Sequence, residues 1–428
     1  MSDAVKEFDL NIVNPYLLDN LLSAAEGLCL FAKEDVCDES SGVLLSTGKA
    51  LRVDVKEKLL GKTLKKPLET CIGAKHALKH SDICDEALAI LEEYPLFSAV
   101  KKYFRRDAKA LGTIHLDSLS LLLLSVFKQN SPKLFRHLVM VALVARIIGA
   151  KMKMDYYNMA LLTQAALLHD VGELYVDNAI VNKPGRLTTE DWQSLITHPI
   201  IGEKLVTECT DYAPEVARAI AEHQERSDGT GYPKRIKADQ LGKLGNILLM
   251  SEFVAGMLAK PDFPIARGLL VIKFFYWQYP VEPLAAIHAL LKRNKVKLED
   301  EDTPLVDAEA VQNVINEFDE VVSRLTACLG ESKSFDEKAV IEHMLIRFGN
   351  IKRAMNEMGM EYCFLPDAWM KMQEDNQVRF ETNLMSSELA WCLRDISRDA
   401  SVHLLEVEHE PSKELKAVLD KMSQASFA

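Results

Sequence analysis

Five positions along one stretch of this chain recur at nearly even steps. His137, the adjacent pair His169 and Asp170, His198, His223 and Glu252 are separated by 32, 28, 25 and 29 residues. The runs around them, such as FRHLVMVALVARIIGAKM and MALLTQAALLHDVGELY, carry apolar residues at i, i+3, i+4 and i+7, the period of a helix with one buried face. A helix of about 10–15 residues with its loop is roughly one pass of a bundle. Groups recurring at that step can meet at one level of a helical bundle. Bundles build metal sites in this way, from inward side chains on facing helices.

The rest of the chain sets the frame. At 428 residues there is material for two or three domains. Pattern divides it into residues 1–118, 119–293 and 294–428. In the first region DESSGVLLSTG carries Gly42 and Gly48 between short alternating pieces, which predicts a small hairpin followed by a helix. The second region is helical throughout. A charged joint, KVKLEDEDTP, leads into a third region of amphipathic helical runs. The expected fold is mainly α: a helical-bundle domain with a small N-terminal α+β module and a helical C-terminal region.

Net charge is −12, which argues against a nucleic acid polymer as partner. The first residues are acidic, with no apolar core of a secretory signal. The longest apolar stretch, LSLLLLSVF, is too short to span a bilayer. Eight scattered cysteines, with no CxxC, read as reduced thiols in a cytoplasmic protein.

A lone histidine on an apolar face is more often a core residue than a ligand. Regular spacing and the adjacent His169–Asp170 pair at a helix end shift the reading to a metal. Imidazole with carboxylate suits one or two divalent ions of iron, manganese, nickel or zinc. Cysteine is missing from the set, which argues against a structural zinc site. His76 and His80 share a helix face without a third ligand and read as surface residues. Between the helical runs lies HQERSDGTGYP at 223–233, dense in polar and turn residues. Taken alone it would be an ordinary connecting turn.

With the histidines it looks like something more specific. LLHDVGELYVDNAIVNKPGRLTTEDW, ITHPIIGEKL and EHQERSDGTGYPKRIKADQLGKLGNILLMSEFVAGML together resemble the HD-GYP domain over about residues 120–265. This is a branch of the HD metal-dependent phosphohydrolases. The resemblance implies an all-helical domain with metal ions and hydrolysis of cyclic di-GMP, or a related phosphate ester, to linear products. On that template His137, His169, Asp170, His198 and His223 fall on ligand positions. Glu252 stands at the family's aspartate. Asp170 would be the carboxylate bridging two metals and the catalytic centre of the set. Lys183, Arg226, Asp228, Gly229, Tyr232 and Lys260 fall where the substrate would lie. The resemblance also implies protein partners such as GGDEF-type proteins. The C-terminal region would suit homodimerisation.

Besides Glu252, which reaches one methylene further than the family's aspartate, three positions depart from the template. Lys133 stands where some members place a third-metal glutamate. Glu173 replaces a lysine and reverses its sign. Gln224 replaces a second histidine, and an amide is a poorer ligand for a transition metal. The expectation is a phosphodiesterase with slow turnover. The alternative is a degenerate HD-GYP domain that binds a cyclic dinucleotide or a protein without catalysis.

Overall fold

The computed structural model describes residues 8–94, 101–183, 185, 187–258, 268, 271–272, 274–293, 308–357, 374–407 and 409–425. The chain forms two compact units. One comprises 3–262 with 278–294, and the other 263–277 with 295–428. The joint KVKLEDEDTP and Lys260 lie outside the described residues.

The first unit begins with helix α1 (Pro15–Leu28), capped by Asn14, whose Oδ1 accepts the amides of Tyr16 and Leu17. Short antiparallel pairs follow: β1 (Leu30–Ala32) with β4 (Ile72–Ala74), and the hairpin β2 (Val36–Cys37) with β3 (Val43–Leu45). Helices α2 (His80–Glu93) and α3 (Lys101–Leu111) complete the N-terminal part.

Residue 118 lies inside this same unit. It opens α4 (Ser118–Asn130), capped by Asp117, and α4 packs on α1. Next come α5 (Pro132–Lys151) and α6 (Tyr156–Leu168). α5 is buried at every position from Leu138 to Gly149, the pattern of a helix surrounded by others. It packs against α6 and against α10 (Lys243–Leu258). α7 (Thr189–Leu195), α8 (His198–Cys209) and α9 (Pro214–Glu222) are shorter. α9 lies on α6, α8 and α10, and α11 (Val281–Arg293) contacts α5 and α10.

The second unit holds α12 (Ala308–Glu331), α13 (Phe335–Glu357), α14 (Asn376–Glu406) and α15 (Lys413–Ser423), which pack on one another. Among the described residues no helix is long and apolar enough to cross a membrane, and the described cysteines are free thiols.

Candidate metal centre

Three histidines are placed by one local rule. The last carbonyls of a helix lack intrahelical partners. His169 follows α6 and its Nδ1 donates to the Ala166 carbonyl at 2.8 Å. His223 follows α9 and donates to Ile220 at 2.6 Å. His198, three residues beyond the end of α7, donates to Leu195 at 2.7 Å. A carbonyl can only accept, so Nδ1 carries the proton in each ring. The Nε2 lone pair is therefore turned away, toward a common centre.

Glycine lets these segments close up. A Cβ on Gly172 would stand 2.0 Å from the His198 carbonyl oxygen, so the turn after Asp170 can lie against the start of α8 only with glycine there.

The side chains meet in two overlapping groups. In the first, Glu252 Oε2 lies 2.9 Å from His137 Nε2 and 3.1 Å from His169 Nε2, and Asp170 Oδ2 is 3.0 Å from His169 Nε2. In the second, Asp170 Oδ1 is 3.4 Å from both His198 Nε2 and His223 Nε2. Asp170 thus gives one oxygen to each group. α5 supplies His137 and α10 supplies Glu252, which face each other across the bundle.

The donor set fits divalent cations. His169 Nε2 is sealed from water and stands 3.0 Å from Asp170 Oδ2 and 3.1 Å from Glu252 Oε2, so a proton or a cation must lie between them. The Nε2 atoms of His198 and His223 stand 3.2 Å apart. Both are lone-pair atoms, which repel unless a cation or proton lies between them. His137, His169 and Glu252 form one candidate ligand set, and His169, Asp170 and His223 another.

The electrostatics are mixed. Burial opposes charge on His169, but the Asp170 and Glu252 carboxylates override it and raise its pKa well above the usual value. Burial would raise Asp170, yet His169, His223 and His198 hold it well below the carboxylate range. Burial pushes His198 down to about 4, which keeps it neutral as a ligand must be.

Glu173 lies in the turn after Asp170, where burial, then the neighbouring Asp170 carboxylate, holds its carboxyl well above the ordinary range. No lysine stands at this position. Lys133 is exposed in the first turn of α5, and Gln224 lines the cleft that adjoins the centre.

The loop after His223 is built around Glu225. Its carboxylate accepts the amides of Lys234 at 2.6 Å and Ile236 at 3.2 Å. A Cβ on Gly231 would collide with the Glu225–Arg226 backbone at 2.3 Å, so the close approach this glycine permits is to the loop's own chain. Gly229 adopts φ +79°. Asp228 Oδ1 accepts from the Thr230 amide and hydroxyl, shaping the turn. Tyr232 sets its ring 6.3 Å from that of His198 and 5.4 Å from Trp192. Arg226 donates to Gln278 Oε1 at 2.6 Å. Lys183 pairs with Asp191 at the start of α7.

An open cleft of about 330 Å³ adjoins the centre. Its lining includes His223, Gln224, Arg226, Glu252, Phe253 and Tyr279. Phe253, Gln278 and Tyr279 fall outside the regular spacing of the ligand-type residues. Phe253 could have been found as the neighbour of Glu252, whereas the last two carry no signal in the sequence.

Residues 122–260 match the family described as the HD domain, and this stretch belongs to it. The motifs quoted above resemble the HD-GYP branch of that family. Among similar proteins is a 3'3'-cGAMP-specific phosphodiesterase of Vibrio cholerae, 28% identical over 34% of this chain and 32% of that protein. A cyclic di-GMP phosphodiesterase of Pseudomonas aeruginosa is 32% identical over 24% of this chain and 25% of its own length. One from Borreliella burgdorferi is 30% identical over 26% and 29%. The chain thus spans about a third or less of the curated relatives it matches.

Proposed function

We propose that this chain is a metal-dependent phosphodiesterase acting on a cyclic dinucleotide, with cyclic di-GMP or its GMP–AMP counterpart as substrate. The observation that carries the reading is the Asp170 carboxylate, shared between two groups of inward-facing ligand atoms. The names of the similar proteins point the same way.

Divalent metal supplies Lewis acidity toward the phosphoryl oxygens and an acidified water as nucleophile. His137, His169, Asp170 and Glu252 would hold one ion, and Asp170, His198 and His223 the other. The Nδ1–carbonyl bonds fix the three rings before substrate arrives, so little reorganisation is left to the reaction. Arg226, steadied by Gln278, faces the cleft with a planar fork suited to a phosphate. A cytoplasmic setting and protein partners of the GGDEF type go with this substrate class. Self-association through the second unit is a separate part of the proposal.

Glu173 favours a second reading, a module that binds the dinucleotide without turning it over. No cation stands at that position to neutralise the leaving oxygen. Single-turnover hydrolysis of cyclic di-GMP with excess manganese or ferrous iron, under anaerobic conditions, separates the two. Slow appearance of the linear product is expected. Full metal loading and dinucleotide binding with no product would establish the second reading.

A further inference from the structure

We infer that Phe253 and Tyr279 form the platform for a purine base in the cleft beside the metal centre. This rests on the cyclic dinucleotide reading and names the part of the site that recognises the base. The two rings lie with centroids 4.4 Å apart and planes inclined at 40°, and both line the cleft. Phe253 is half-buried, immediately after the ligand Glu252 on α10. Tyr279 comes from the segment just before α11 and is 7% exposed.

The platform is therefore held from two elements and joined directly to a metal ligand. A phosphodiester at the centre would leave its nucleoside only a few bonds away, within reach of this cleft.

Size and chemistry agree with a base. A cavity of about 150 Å³ admits benzene, so about 330 Å³ leaves room for a bicyclic ring with part of its sugar. The cleft is lined by the aromatic rings of Phe253 and Tyr279, and also by the Gln224 amide, which offers a donor and an acceptor to a ring edge, and the Arg226 guanidinium. Any planar base can stack on such a surface, with affinity from the π-face rather than from charge. Gln224 thereby gains a role as a ring-edge partner, in a position where the template has a metal ligand.

The test uses the full metal-loaded chain and calorimetric titration with two probes. Cyclic di-GMP reports the base and the phosphate together, and inorganic phosphate reports the metal end alone. Phe253→Leu and Tyr279→Leu are each expected to weaken cyclic di-GMP about 5–100-fold. Phosphate affinity and metal content should stay within about twofold. Phe253→Tyr keeps the ring and should retain cyclic di-GMP affinity within about threefold.

Unchanged cyclic di-GMP affinity in both leucine variants would overturn the platform and leave the functional reading standing. Parallel loss of both probes would also overturn it, since the rings would then support the metal end and not a base. If the unmodified protein binds phosphate and no cyclic dinucleotide, the functional reading itself falls.

Discussion

Arg347 in the second unit and His169 in the first are both sealed from water, at 5% and 0% exposure. Their surroundings differ. Arg347 on α13 sends one nitrogen to Asp395 at 2.6 Å and another to Asp399 at 3.3 Å, both on α14. Arg398 also pairs with Asp395. Those pairs tie two helices together. His169 fixes one nitrogen on a helix-end carbonyl and leaves the other aimed at a space ringed by carboxylates and imidazoles. Buried polar groups are normally satisfied within the protein. A group satisfied by its neighbours is explained by stability. A cluster of lone pairs converging on one space calls for a cation.

The sharpest way to break this contrast is Asp170→Ala. It removes an oxygen from both ligand groups, so both metals and all hydrolysis should be lost. Retained hydrolysis in anaerobic single-turnover assays would show that Asp170 bridges nothing. The matching change in the second unit is Arg347→Met, which takes one partner from the buried Asp395 and one from the half-buried Asp399. It should cost about 3–5 kcal/mol in denaturant unfolding, with metal content unchanged. A loss of metal there would erase the distinction between the two regions.

A smaller effect belongs to the N-terminal region. Tyr175, in the turn after Asp170, donates its hydroxyl to Glu69 at 2.5 Å, and burial raises Glu69 to about 7. A carboxyl raised from 4.5 contributes fully below about pH 4.5, and the contribution is lost as pH rises through 7. Glu69→Gln should remove this dependence. Relative to the unmodified protein it should gain up to about 3 kcal/mol between pH 5 and 8, read from urea midpoints at each pH. A constant difference across that range would place the titration elsewhere. Smallest is the double change Gln224→His with Glu173→Lys, which should raise turnover about tenfold while dinucleotide affinity does not rise, since it also removes the ring-edge amide of Gln224. A gain confined to affinity would contradict the role given to these two positions.

Much of the first unit can be read from sequence because its information is local and periodic. The 3.6-residue pattern gives the helices, and the ligand steps match one bundle pass each. Turn residues mark the loop after His223, and Gly42 and Gly48 mark the hairpin. The remaining contacts are set by tertiary packing that no local pattern specifies. Asn20 donates to the Leu174 carbonyl, and Glu69 meets Tyr175, across more than a hundred residues. These bonds fasten the first region to the turn behind Asp170, so residue 118 falls within one unit. Gln278 reaches Arg226, and Tyr279 reaches Phe253, from beyond residues 263–277, which belong to the other unit. The raised Glu173 carboxyl is likewise a product of burial, which residue type alone does not show.

The central claim is that one carboxylate divides its two oxygens between two metal positions. Elemental analysis of the full chain, purified without added metal and then equilibrated with manganese or ferrous iron, tests it directly. The unmodified protein should hold about two divalent ions per chain, and Asp170→Ala close to none. His198→Ala should keep the ion on the His137 side and lose the other. Fewer than one ion per chain in the unmodified protein, or equal content in all three, would contradict the claim.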